Sequence, residues 1–281
     1  MRIQSYIKFL FKSQNQHGLH SPFVYDLVTN CFYDKKKYKE YKLLNDYRKD
    51  LLKNHKIIKV TDFGAGSRVF TSNERTISAI AKNVGIPKKR ARFLFRLVNY
   101  LECKNNLELG TSLGIGAAAL AANKKSSLIS IEGCPQTADI ARQQLKKYGF
   151  NNVKLMVGEF EEILSRILTQ PQEKNKTGDS GISARAQPQT TNHKPRTTFD
   201  LIYFDGHHTK EATLKYFHQL LPIAHNNSVF VLDDIHWSPG MEAAWEEIKG
   251  HPQVKVTIDT FFLGLVFFRK EQEKQHFRIR L

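Results

Sequence analysis

The residues whose spacing implies chemistry are Leu107-Glu108-Leu109-Gly110-Thr111-Ser112-Leu113-Gly114-Ile115-Gly116, together with Glu132 at the end of the next apolar run. An apolar run entering a glycine-rich turn predicts a buried strand, a close turn and a helix that starts near Gly114. Glycine suits backbone that must approach a ligand, because a Cβ would block the approach. The start of the helix offers free N–H groups and a positive dipole end to an anionic group. Glu132 falls about 20 residues after Gly110, on the tip of the predicted second strand, where an acid can accept hydrogen bonds from both hydroxyls of a ribose. The pattern predicts a nucleoside-containing cofactor; the alternative is a turn with a packing role alone.

A dinucleotide site would carry glycines spaced G-x-G-x-x-G. Here the spacing is G-x-x-x-G-x-G, and Glu108 stands two residues before the first glycine. A carboxylate there would repel a pyrophosphate, whereas it can pair with an ammonium group. S-adenosylmethionine carries an ammonium group and a ribose diol, so it suits the pattern better than a nicotinamide dinucleotide.

These residues need elements to hold them. From about residue 105, short apolar runs alternate with helical patterns. The candidate strands are 106–109, 128–132, 153–157, 200–204, 228–233, 254–259 and 262–268. Ala138, Ala141, Leu145 and Tyr148 form one apolar stripe at helical spacing, and Met241, Ala244, Trp245 and Ile248 form another; both read as core. The expected fold is α/β: a Rossmann-like, seven-stranded, mostly parallel sheet with an antiparallel last strand. An N-terminal helical region, residues 1–100, precedes the cofactor-binding domain of 101–281. In it, Ser21 is placed to cap a helix beginning at Pro22, and an apolar helix is expected near 91–101. Asp62–Arg68 is a second glycine-rich turn, read as a loop near the site or a structural turn. Residues 169–198 are almost free of apolar side chains and are expected to be a disordered insertion.

The chain has 281 residues, 41% of them hydrophobic, which is enough for a core. No run approaches the ~20 apolar residues of a membrane span. The first dozen residues suit a helix packed on the domain or a basic amphipathic helix on a membrane surface. Cys31, Cys103 and Cys134 form no CxxC pair, which argues for a reducing compartment, read as cytoplasmic, and against a disulfide framework. The net charge of +16 favours anionic partners. Much of it is diffuse, in runs such as Lys88-Lys89-Arg90, so nucleic acid is the less favoured partner. Oligomeric state is not readable.

The block from about 105 to 268 resembles the class I S-adenosylmethionine-dependent methyltransferases, and within them the catechol and caffeoyl-coenzyme-A type of O-methyltransferase. The resemblance rests on Leu107 to Gly114, on Ile131-Glu132-Gly133-Cys134-Pro135, on Gly158-Glu159, on Asp200-Leu201-Ile202-Tyr203-Phe204-Asp205 and on Val231-Leu232-Asp233-Asp234. It implies that Glu108, Gly110, Thr111, Ser112 and Gly114 hold the methionine end of the cofactor. It implies too that Glu132, beside Gly133, takes the ribose hydroxyls and that Asp205 borders the cofactor. Glu159 falls where such enzymes recognise the adenine edge; it also reads as an exposed acid in the first turn of a helix.

Asp205 and the Asp233-Asp234 pair are expected at the ends of adjacent strands, where an open α/β sheet binds ligands. Carboxylates so close are costly unless a cation or a proton intervenes. A hard divalent ion such as Mg²⁺ is one solution, and in the O-methyltransferases the equivalent ion holds two vicinal substrate oxygens. Those enzymes follow the fifth-strand Asp with Asn, whereas this chain has Asp233, Asp234 and Ile235. His208 lies three residues after Asp205, where the metal-dependent relatives place a catalytic lysine. An imidazole can take a hydroxyl proton at neutral pH, and His207, Lys210 and His236 lie nearby in sequence. The expected activity is O-methylation of a small or lipid-like hydroxyl acceptor, with His208 as general base assisted by Asp205. The alternatives are methylation of RNA or another polyanion, or a cofactor-binding module without catalysis.

Overall fold

In a computed structural model, residues 2–61, 72–169 and 197–281 are described. The turn at Asp62–Arg68 and all but the margins of the polar segment 169–198 lie outside the described residues. The chain opens with helices α1 (Arg2–Lys12), α2 (Pro22–Leu27) and α3 (Glu40–Leu52). A short antiparallel pair follows, β1 (Ile57–Lys59) with β2 (Glu74–Thr76), then α4 (Ile77–Asn83) and α5 (Lys88–Tyr100). The Ser21 hydroxyl accepts from the Val24 N–H at 3.4 Å, with Pro22 in the first turn, so α2 begins as the sequence predicts.

The remainder alternates strand and helix. It comprises β3 (Asn105–Leu109), α6 (Ile115–Ala121), β4 (Ser127–Glu132), α7 (Pro135–Lys147), β5 (Val153–Val157) and α8 (Phe160–Thr169). Then come β6 (Leu201–Phe204), α9 (Lys210–Leu220), β7 (Val229–Asp233), α10 (Pro239–Gly250), β8 (Val256–Asp259), β9 (Leu263–Phe267) and β10 (Gln275–Arg278). The sheet order is β10-β8-β9-β7-β6-β3-β4-β5, parallel throughout except for β9, which runs antiparallel between β7 and β8. The mostly parallel sheet with its late antiparallel strand matches the expectation. The eighth strand, β10, was not anticipated: Gln275-His276-Phe277-Arg278 lacks an apolar run, and only pairing with β8 defines it as a strand.

Strands β6, β7, β8 and β9 are buried along their whole length. Continuous apolar runs of this kind belong to a sheet covered on both faces. One face carries α8, α9 and α10 around Phe217, Phe230 and Trp245. The other carries α3 to α6, and its core joins Leu27, Tyr47 and Phe93 to Ala118, Val231 and Ile258. Residue 100 therefore marks a change of pattern, not a break in the core.

Register sets the site. Leu109 lies beside both Ile131 and Phe204, and Phe204 beside Leu232. The next residue of each strand is thus Glu132, Gly110, Asp205 and Asp233, in a row along the carboxyl edge of the sheet. The strand order reverses between β4-β3 and β3-β6, the position where open α/β sheets bind ligands.

Candidate active site

A cavity of about 610 Å³ opens over that edge, a size suited to a cofactor together with a small acceptor. Its floor is the glycine turn. Gly110 has φ +104°, and a Cβ on it would lie 2.2 Å from the Asp205 carbonyl oxygen, so only glycine fits between the strands here. Thr111, Ser112, Gly133 and Glu159 line the cavity. Gly114 caps α6 just behind them. The turn is braced from the N-terminal region: the Tyr47 hydroxyl donates to the Leu113 carbonyl at 2.9 Å.

Glu132 stands on the cavity wall with its carboxylate fixed from both sides. The Ser112 N–H donates to Oε2 at 2.6 Å and the Cys134 N–H to Oε1 at 2.9 Å. These two bonds orient the carboxylate on the wall of the cavity.

Glu108 behaves differently. It is fully buried, and its Oε1 would lie 2.3 Å from a Cβ on Gly116, which places it under α6 and behind the cavity wall. The Ser130 hydroxyl donates to Oε2 at 2.5 Å, and Oε1 has no hydrogen-bond partner among the described residues. Burial pushes its carboxyl up to about 8, against the Ser130 bond and assisted by the charge of Glu132. At neutral pH it is mainly a neutral acid.

At the other end of the cavity, burial and the charge and hydrogen bond of Asp233 push the Asp205 carboxyl well above its ordinary range. His208 Nε2 lies 3.7 Å from Asp205 Oδ1, and both residues line the cavity with Asp233 and Asp234. His207 packs against Phe160 and Tyr216, with ring centroids 4.9 Å and 5.7 Å away. Lys210 pairs with Glu247 at 3.1 Å on the flank. His236 does not line the cavity: it is clamped by Glu242 and Asp259, each at 3.0 Å, and stacks on Phe261.

The geometry at Asp205, Asp233 and Asp234 does not support the expected Mg²⁺. Arg90 Nη1 donates to Asp233 Oδ1 at 2.8 Å and lies 3.9 Å from Asp234 Oδ1. The guanidinium sets a positive charge beside the clustered carboxylates and takes one Asp233 oxygen. Among the described residues no group of three or more His, Cys, Asp or Glu side chains is placed to hold a metal ion. The donor set does not fit one. Arg90 lies in the Lys88-Lys89-Arg90 run, which reads in sequence as a solvated charge cluster. A cue was present nonetheless, since three cations in the first turn of a helix oppose its dipole and need a partner.

Residues 107–235 match the family described as "methyltransferase domain". Over that stretch the chain is similar to methyltransferase domains. No curated protein matches the chain by sequence. Solved structures share its fold. An O-methyltransferase from Bacillus cereus, in complex with S-adenosylhomocysteine, is 18% identical with a TM-score of 0.50, over 87% of this chain and 97% of the other. The O-methyltransferase TomG from Streptomyces achromogenes, involved in tomaymycin synthesis and in complex with S-adenosylmethionine, is 15% identical with a TM-score of 0.53, over 86% and 94%. A methyltransferase from Podospora anserina, bound to S-adenosylhomocysteine, is 13% identical with a TM-score of 0.54, over 89% and 97%. No helix among the described residues is long and apolar enough to cross a membrane.

Proposed function

We propose that this chain transfers the methyl group of S-adenosylmethionine to a hydroxyl oxygen of a small or lipid-like acceptor. The observation that carries the reading is one cavity with two ends: the Gly110 turn with the oriented Glu132 carboxylate at one, and His208 with Asp205 at the other. The glycine cradle and the ribose-type acid fit the cofactor, and O-methyltransferases among the structural neighbours support an oxygen acceptor. Three buried, unpaired cysteines accord with a cytoplasmic setting.

The cofactor supplies an electrophilic methyl group on a sulfonium. Glu132 takes the ribose hydroxyls, Gly110, Thr111, Ser112 and Gly114 shape the seat of the methionine end, and Glu159 borders the base. The acceptor hydroxyl would give its proton to the His208 imidazole, and the cofactor, when bound, would supply the methyl group that the oxygen takes. Asp205 borders the imidazole at 3.7 Å, and the proton would pass from His208 to water. Positioning of donor and acceptor supplies much of the rate.

The test is a calorimetric titration with S-adenosylmethionine. Binding is expected for the wild type, and Glu132→Ala is expected to weaken it by about 100-fold, in keeping with the loss of two charge-assisted hydrogen bonds. A wild type that binds no S-adenosylmethionine overturns the reading.

A further inference from the structure

The cation at the strand-end carboxylates comes from outside the matched domain. Arg90 stands in the first turn of α5 behind Lys88 and Lys89, where the helix dipole disfavours a positive charge. Its partners offset that cost: Asp233, 4% exposed, at 2.8 Å, and Asp234 at 3.9 Å. The guanidinium lies over the Phe262 ring, 5.1 Å from its centroid, and reaches the cavity. Phe262 on one side and the carboxylates on the other hold its plane in place.

We propose that Arg90 takes the position of a divalent ion at the acceptor end of the cavity, so that the site works with a side-chain cation and binds no metal. The guanidinium cannot lose its charge at any working pH and holds its donors in a fixed fork. The acceptor meets hydrogen-bond donors where a metal would offer open coordination. The consequence for the acceptor rests on the methyl-transfer reading above; the assignment of Arg90 to the cation position does not.

The test titrates the full chain with Mn²⁺ and follows the free ion by its paramagnetic resonance signal, for the wild type, Arg90→Ser and Arg90→Ser with Asp233→Asn. The wild type is expected to leave Mn²⁺ free. Arg90→Ser is expected to take up one equivalent, its affinity raised by about 100-fold, the order expected on removing a unit charge about 4 Å from the site. The second substitution abolishes that uptake. A wild type that takes up one equivalent of Mn²⁺ overturns the proposal, as does a folded Arg90→Ser that takes up none. If Arg90→Ser does not fold, Arg90→Gln is read in the same way, and the wild-type arm stands alone. Calorimetry with S-adenosylmethionine on the same samples separates the two failures: no cofactor binding refutes the methyl-transfer reading and leaves the Mn²⁺ result intact.

Discussion

The two ends of the cavity are built by different means. The cofactor end is made of backbone and strand tips that lie within one continuous stretch, residues 107–159. Its key contacts are main-chain N–H groups on Glu132 and a glycine squeezed against the Asp205 carbonyl. The acceptor end is made of side chains brought from afar: Asp205 and His208 after β6, Asp233 and Asp234 at the end of β7, Arg90 from α5 and Phe262 from the β8–β9 turn. Backbone geometry leaves a mark on local sequence, because it demands glycine at fixed spacing. Side-chain geometry assembled across the fold leaves almost none.

The comparison breaks first at His208. If the acceptor end is separate in function, His208→Ala lowers turnover by about 10²- to 10⁴-fold, the usual contribution of a general base, while calorimetric affinity for S-adenosylmethionine stays within about twofold of the wild type. Unchanged turnover removes His208 from the chemistry. A parallel loss of cofactor affinity would mean that the two ends are one unit.

What could be read from the sequence follows the same division. The glycine turn, Glu132, the order of strands to β9 and the core stripes of α7 and α10 all rest on local spacing. The metal expectation rests on carboxylates that are visible in sequence, whereas the arginine that pairs with them is remote. Arg90 lies 143 residues from Asp233, and only the packing of α5 against the sheet face joins them. Strand β10 escaped for a related reason: its residues pair with β8 at the edge and need no apolar pattern. The burial of Glu108 was also hidden, since a motif position says nothing about which way a side chain turns under α6.

Glu108 sharpens the cofactor end. The family resemblance assigns it to the methionine end of the cofactor, yet it lies behind the wall with a carboxyl raised to about 8. Its folded value exceeds the unfolded one near 4.5. The contribution is therefore fully present below about pH 4.5 and is lost as pH rises through about 8, because only the unfolded chain readily ionises. Glu108→Gln removes that dependence. The variant is expected to match the wild type near pH 4.5 and to exceed it by up to a few kcal/mol at about pH 8, flat beyond. Urea unfolding across that range reads the effect. A more than tenfold loss of S-adenosylmethionine affinity in a folded Glu108→Gln would return the residue to the cofactor contact.

The smallest effect is expected behind the acceptor end, at His236. Glu242 and Asp259 hold its two ring nitrogens, Arg278 Nε lies 3.7 Å from Asp259, and Ser5 of α1 reaches Glu242. Against the cost of burial, the hydrogen bonds and charge of the two acids raise its pKa. A raised histidine contributes stability that is complete below its unfolded value near 6.5 and fades as pH climbs through the folded value. His236→Gln is expected to cost about 1 kcal/mol at about pH 5.5 and less at about pH 9. Turnover of the folded variant should be unaltered, because His236 faces Phe261 and not the cavity. An equal cost at both pH values would assign the effect to packing on Phe261. A loss of turnover without loss of stability would extend the acceptor end beyond the cavity wall and erase the boundary between the chemistry and its support.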